Sequence, residues 1–100
     1  MKKIILTDKA PAPIGPYSQG IDTGSLVFFS GQIAIDPTAG KIVATDVEGQ
    51  TRQVLSNIRA LLAASSLTPA DVVKTTVFVK NMGDFAKVNA IYAELFPSEP

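Results

Sequence analysis

Leu26-Val27-Phe28-Phe29-Ser30-Gly31-Gln32-Ile33-Ala34-Ile35 is the strongest strand signal in the chain. Successive side chains of a strand point to opposite faces. Val27, Phe29, Gly31, Ile33 and Ile35 therefore share one face, and Leu26, Phe28, Ser30, Gln32 and Ala34 the other. Both faces are largely apolar, which predicts a central strand. Upstream, Gln19–Asp22 leads into it through Thr23-Gly24-Ser25, a short Gly-containing hairpin signal. Lys2–Leu6 is a further β-rich run, whose two lysines suit a sheet edge. Downstream, Asp36-Pro37-Thr38-Ala39-Gly40 reads as a turn, after which Lys41–Val43 can pair back as a short strand.

Past this β-rich half the period changes. Thr45-Asp46-Val47-Glu48 has the form of a capping box, with Thr45 as N-cap and Glu48 at N3. A helix is predicted from there to about Ser65. Val47, Thr51, Val54, Leu55, Ile58, Leu61 and Leu62 recur at three- and four-residue spacing and make one apolar stripe, with Gln50, Arg52, Gln53, Asn57 and Arg59 away from its centre. Thr68-Pro69-Ala70-Asp71 is a helix start too short for more than a turn. Val72–Lys80, rich in Val and Thr, predicts a second strong strand. Asn81-Met82-Gly83-Asp84 offers another cap, and a second helix is expected from about Asp84 to Phe96, with Phe85, Val88, Tyr92, Leu95 and Phe96 on one side. Pro97 ends it, and Pro97–Pro100 reads as a bare loop. The order β-β-β-(β)-α-β-α, with two amphipathic helices needing a sheet face to cover, predicts an α+β class within a single domain, residues 1–100.

Composition narrows the chemistry. The chain has 100 residues, of which nine are basic and nine acidic, so net charge is zero. No basic block appears, which argues against tight binding to nucleic acid, where phosphates must be neutralised. There is no cysteine and no histidine. Ser-His-Asp and Cys-His catalysis and any His- or Cys-ligated metal are thereby excluded within these residues. The apolar run at Ile4–Leu6 is shorter than a secretory signal requires, and no stretch approaches a membrane span. A cytoplasmic location is expected by default.

Four short motifs stand out. Ala10-Pro11-Ala12-Pro13-Ile14-Gly15-Pro16 cannot be helix or central strand. This stiff loop delivers Tyr17-Ser18-Gln19, either to present the Tyr17 phenol to a ligand or as a tight turn with a packed tyrosine. Ser30-Gly31-Gln32 interrupts an apolar strand. Glycine there marks close approach of a ligand or backbone, or a bulge with a hydrogen-bonded serine. Lys74 and Lys80 read as solvated strand lysines rather than catalytic ones. Asn89 is either a ligand-binding amide or a helix-surface one.

Together, Ile14-Gly15-Pro16-Tyr17-Ser18-Gln19-Gly20, Phe29-Ser30-Gly31-Gln32-Ile33, Asp71-Val72-Val73-Lys74-Thr75-Thr76-Val77-Phe78-Val79 and Phe85-Ala86-Lys87-Val88-Asn89 resemble the Rid (reactive intermediate deaminase, YjgF-like) family in order and spacing. The resemblance runs from the first strand to Phe96-Pro97. It implies a chorismate-mutase-like fold, a mixed sheet with two helices on one face. It implies a homotrimer with sites in the clefts between subunits, and no cofactor or metal. It implies hydrolysis of 2-imino acids and their enamines, such as 2-iminopropanoate and 2-iminobutanoate, to 2-keto acids and ammonia.

By the same resemblance Tyr17, Ser30, Gly31 and Asn89 match site-lining, substrate-binding positions. The family's Pro-Ala-Arg-Ser-like motif, whose arginine grips the substrate carboxylate, and its closing strands with a water-positioning acid follow the second helix. Arg52 and Arg59 match neither, so both groups are expected beyond Pro100, and the catalytic residues stay unassigned within a C-terminally incomplete domain. A small-ligand-binding or regulatory protein without deaminase activity is the alternative. An endoribonuclease or translation inhibitor, also attributed to family members, fits zero net charge and no histidine poorly.

Overall fold

The computed structural model describes residues 2–97. Its elements are β1 (Lys3–Ile5), β2 (Gly20–Asp22), β3 (Val27–Phe29), β4 (Ile35–Asp36), β5 (Lys41–Ile42), α1 (Val47–Ala64) and α2 (Phe85–Leu95). Single 3-10 turns at Pro69–Asp71 and Met82–Asp84 precede residues 72–81 and α2 respectively. The α+β class with two helices holds. The loop read at the C-terminus lies, after Pro97, outside the described residues.

Three strands form an antiparallel sheet in the order β1-β2-β3, with Ile4 opposite Ile21 and Ile21 opposite Phe28. Glycine is required at the centre of this sheet. A Cβ on Gly20 would stand 2.8 Å from the Phe29 ring and 3.3 Å from the Ile5 Cβ. The β2–β3 turn is closed by the Thr23 N–H donating to the Leu26 carbonyl (2.9 Å) and by the Gly24 N–H donating to Asp22 Oδ1 (2.8 Å). Gly24 takes φ 99°, a conformation side chains disfavour. β4 and β5 form a second, two-stranded antiparallel hairpin, so the short return strand at Lys41 is present. Its turn is organised by Asp36, whose Oδ1 accepts the Thr38 and Ala39 N–H groups.

Leu26–Ile35 is not one central strand. The ladder ends after Phe29, and β3 is an edge of its sheet. The cause is local. Ser30 donates both its N–H and its hydroxyl to the Gln19 carbonyl, at 3.0 and 3.2 Å. Beyond it the Asn57 side chain donates to the Ile33 and Ile35 carbonyls, at 3.2 and 2.9 Å, and the chain resumes pairing only at Ile35, in the separate β4–β5 hairpin. Val72–Lys80 likewise forms no ladder among the described residues. Strand propensity expresses itself only against a partner strand. This segment has instead a side-chain contact, Thr75 hydroxyl to Tyr92 hydroxyl, and leaves Phe78 93% exposed.

The helices follow the apolar spacing more closely than the cap signals. α1 begins one residue after Asp46, and no side-chain cap bond forms there, so the Thr45–Glu48 box is absent. Asn81 and Asp84 also cap nothing with their side chains. The reciprocal box forms instead at Thr68 and Asp71. Leu55 of α1 packs with Ile91 and Leu95 of α2, flanked by Ile58, Tyr92 and Phe96. Phe85, expected on this face, is half-exposed, and Ile91 takes the place instead. No helix among the described residues is long and apolar enough to cross a membrane.

The Gly20 contact supplies a stability test. Gly20→Ala overpacks the sheet against a ring and a β-branched residue, and is expected to cost about 1–3 kcal/mol. Urea unfolding monitored by circular dichroism checks this; an unchanged midpoint would contradict it.

Candidate functional site

The stiff loop between β1 and β2 is held from inside. Gln19 is 1% exposed, and its side chain reaches back across the loop. Its Oε1 accepts the Thr7 N–H at 2.7 Å. Its Nε2 donates to the carbonyls of Thr7, Ala10 and Pro11, at 2.9, 3.2 and 2.8 Å. A segment with three prolines has few N–H groups of its own to pair those carbonyls, and a buried unpaired carbonyl is costly. The carboxamide has one orientation only, because an oxygen turned toward three carbonyls would be repelled.

Tyr17 rides on this loop. Its N–H closes onto the Gly15 carbonyl at 2.9 Å, with Gly15 at φ 130°. The Ile14 N–H donates to the phenol oxygen at 3.4 Å, which leaves the phenol proton free to be donated outward. Tyr17 is 51% exposed, so the tight turn forms but its tyrosine is not buried among the described residues.

The opposite side begins where β3 ends. Ser30 is tied to the Gln19 carbonyl, so the serine is hydrogen-bonded and turned inward. Gly31 follows, and among the described residues nothing but its own chain neighbours lies within 4 Å of the point where its Cβ would stand. The glycine is therefore not needed for internal packing. Gln32 donates weakly to the Ser30 carbonyl at 3.5 Å, and its Oε1 is buried without a partner among the described residues. Ile33 and Ile35 are fixed by Asn57, whose Oδ1 in turn accepts from Gln53 Nε2 at 3.0 Å. Asn57, read as lying off the buried stripe, is 0% exposed.

A groove of about 280 Å³ separates these two sides. Pro11, Ala12, Ile14 and Tyr17 form one wall, and Gly31, Gln32, Ile33 and Ile35 the other. Its polar features are a phenol, a carboxamide and the backbone at Gly31, set among aliphatic side chains. None of the lining residues carries a charge. Such a surface suits a small molecule with an alkyl part and a few hydrogen-bonding atoms. A second groove of about 270 Å³, between β1 and the C-terminal end of α1, contains none of the motif residues.

Of the four residues singled out in the sequence, Tyr17 and Gly31 meet across the groove. Ser30 supports the Gly31 wall from behind. Asn89 lies exposed on α2 and does not line the groove. Arg52 and Arg59 are exposed on α1, and Arg52 pairs with Glu94 at 3.4 Å. Gln19 and Asn57, which fix the two walls, were not legible as such. Gln19 stood inside a motif read for its tyrosine, and Asn57 inside a helix read for its leucines. The signal available for Gln19 was the nearby run of proline-flanked carbonyls, which needs a donor from elsewhere.

Residues 7–100 match the model of the family described as Endoribonuclease L-PSP. The chain is 55% identical over 96 residues to a protein of Salmonella typhimurium named 2-iminobutanoate/2-iminopropanoate deaminase, covering 96% of this chain and 74% of that one. It superposes on the crystal structure of the Escherichia coli YjgF gene product with a TM-score of 0.89 and 50% identity, covering 95% of this chain and 74% of that one. On E. coli TdcF with bound serine the TM-score is 0.90 and identity 47%, with the same coverage.

The open space at Gly31 gives a clean structural expectation. Gly31→Ala should leave the fold intact, with stability unchanged or raised by up to about 1 kcal/mol. A loss of more than that in a thermal melt would show that the glycine serves packing after all.

Proposed function

This chain belongs to the Endoribonuclease L-PSP family, the Rid or YjgF-like proteins, and from that premise we propose that it acts as a 2-imino acid deaminase. The observation that carries the reading is the groove in which the outward phenol of Tyr17 faces the unobstructed backbone of Gly31. A relative at 55% identity named 2-iminobutanoate/2-iminopropanoate deaminase supports the same reaction class.

The reaction replaces a C=N bond by C=O. Water adds its oxygen to the imine carbon, the nitrogen takes up protons, and the C–N bond breaks with ammonia as leaving group and a 2-keto acid as product. Within this scheme the Gly31 N–H donates to the substrate, and Tyr17 donates its phenol proton to a substrate oxygen or nitrogen. Ile14, Ile33 and Ile35 cover a short alkyl side chain and keep bulk water from it. The carboxylate needs a cation, and the groove's lining provides none. The family resemblance assigns that role to an arginine following α2.

Assembly belongs to the same proposal. Asn89 lies on α2 away from the groove of its own chain. A homotrimer with sites in the clefts between subunits would bring it to the groove of a neighbouring copy. Micromolar light scattering of the full-length protein is expected to give three subunits, and a monomer would remove Asn89 from the site.

Activity is tested by following ammonia release from enzymatically generated 2-iminopropanoate. Turnover above spontaneous hydrolysis is expected, and Tyr17→Phe should lower kcat/KM about 5- to 150-fold, the worth of a hydrogen bond of roughly 1–3 kcal/mol. Gly31→Ala, neutral to folding, should also lower it. Binding of a small carboxylate without turnover would favour the regulatory alternative, and cleavage of RNA without imine hydrolysis would contradict the proposal.

A further inference from the structure

On the deaminase reading, we infer that Gln19 is a positioning residue whose buried carboxamide and backbone carbonyl together set the spacing between Tyr17 and Gly31. An exposed ring has little packing to fix it. Tyr17 is 51% exposed, and among the described residues its phenol oxygen has only the long 3.4 Å hydrogen bond from the Ile14 N–H. Its position is therefore set by its backbone, two residues before Gln19. The Gln19 side chain fixes that backbone's loop at Thr7, Ala10 and Pro11. Pro11 is itself part of the Tyr17 wall. The Gln19 carbonyl meanwhile accepts both Ser30 bonds, immediately before Gly31 on the other wall. One fully buried residue is thus bonded to both sides of the groove. Any change in how it sits alters the distance across which a substrate is held.

A purely structural glutamine and a positioning glutamine differ in what they do to Tyr17. Gln19→Glu keeps the size and the acceptor but turns a carboxylate toward three carbonyls. Gln19→Met keeps approximate volume and removes every side-chain hydrogen bond, while the backbone carbonyl that Ser30 uses stays. Each is to be made in the 100-residue protein, alone and combined with Tyr17→Phe, with kcat expressed per folded site.

The expected result is a fall in kcat of about 10- to 100-fold for each Gln19 variant, as misplacement of a contact group causes. In the Tyr17→Phe background the same change should cost less than about threefold, because contacting residues in one chain of effects are non-additive. A second readout needs no turnover. The chain has two tyrosines and no tryptophan, so in a Tyr92→Phe background tyrosine emission comes from Tyr17 alone. Its anisotropy should fall in both Gln19 variants.

Additive kinetics with unchanged anisotropy would overturn the inference and leave the deaminase reading standing. So would failure of both variants to fold, since the role would then be in the fold itself. Absence of turnover by the unsubstituted protein would instead sink the deaminase reading, and the anisotropy arm would still decide whether Gln19 holds Tyr17.

Discussion

The four hydrogen bonds of the Gln19 carboxamide are the constraint on which the rest of this structure depends. A loop with three prolines lacks three N–H groups with which to pair its own carbonyls, and those of Thr7, Ala10 and Pro11 are served by the Gln19 side chain. Gln19 supplies the missing donors from the start of β2 and accepts the Thr7 N–H just after β1. Each such bond is worth about 1 kcal/mol net, whereas a buried group left without its partner costs about 1–3 kcal/mol. Closure of the loop is thereby tied to formation of the sheet itself. Gly20, the next residue, completes the arrangement by letting Phe29 and Ile5 close over the strand.

Asn57 does for the second wall what Gln19 does for the first. Both are buried amides, and both donate to backbone carbonyls of the wall they support. Asn57 reaches from α1 to Ile33 and Ile35, so the helix layer and the groove are mechanically joined. The α1–α2 core around Leu55, Ile91 and Leu95 then matters to the site as the support of Asn57. A groove with one wall on a clamped loop and the other on a clamped strand end holds its width without a ligand. Preorganised polar groups of this kind lose little order on binding.

Much of this was legible in the sequence, in proportion to how local the cause was. The helices are set by apolar spacing, and Val47–Ala64 and Phe85–Leu95 fall within a residue or two of the periodic runs. The hairpin turns at Gly24 and Asp36 carry their own chemistry. Strand extents were less legible, because a ladder needs a partner as well as a propensity. Phe29 and Val77 both lie in strand-forming runs, yet among the described residues only Phe29 has a neighbouring strand to pair with. The motifs around Tyr17 and Gly31 drew notice to both residues but left a packing and a ligand-facing reading open for each, because which surface a side chain lines depends on distant segments. Their supports were not legible, since a buried Gln or Asn is identified by what it bonds across 8 to 24 residues of chain.

The account rests most heavily on the Gln19 clamp, and amide hydrogen exchange of Thr7 tests it most directly. Thr7 lies outside every ladder, and the acceptor for its N–H is the Gln19 side chain at 2.7 Å. If the clamp holds the loop, this amide exchanges as slowly as the paired amides of β1 and β2, and far more slowly than that of exposed Asp8 beside it. Exchange of Thr7 at the rate of Asp8, with the strand amides still protected, would show that the loop opens freely and that the groove's width is set by something else.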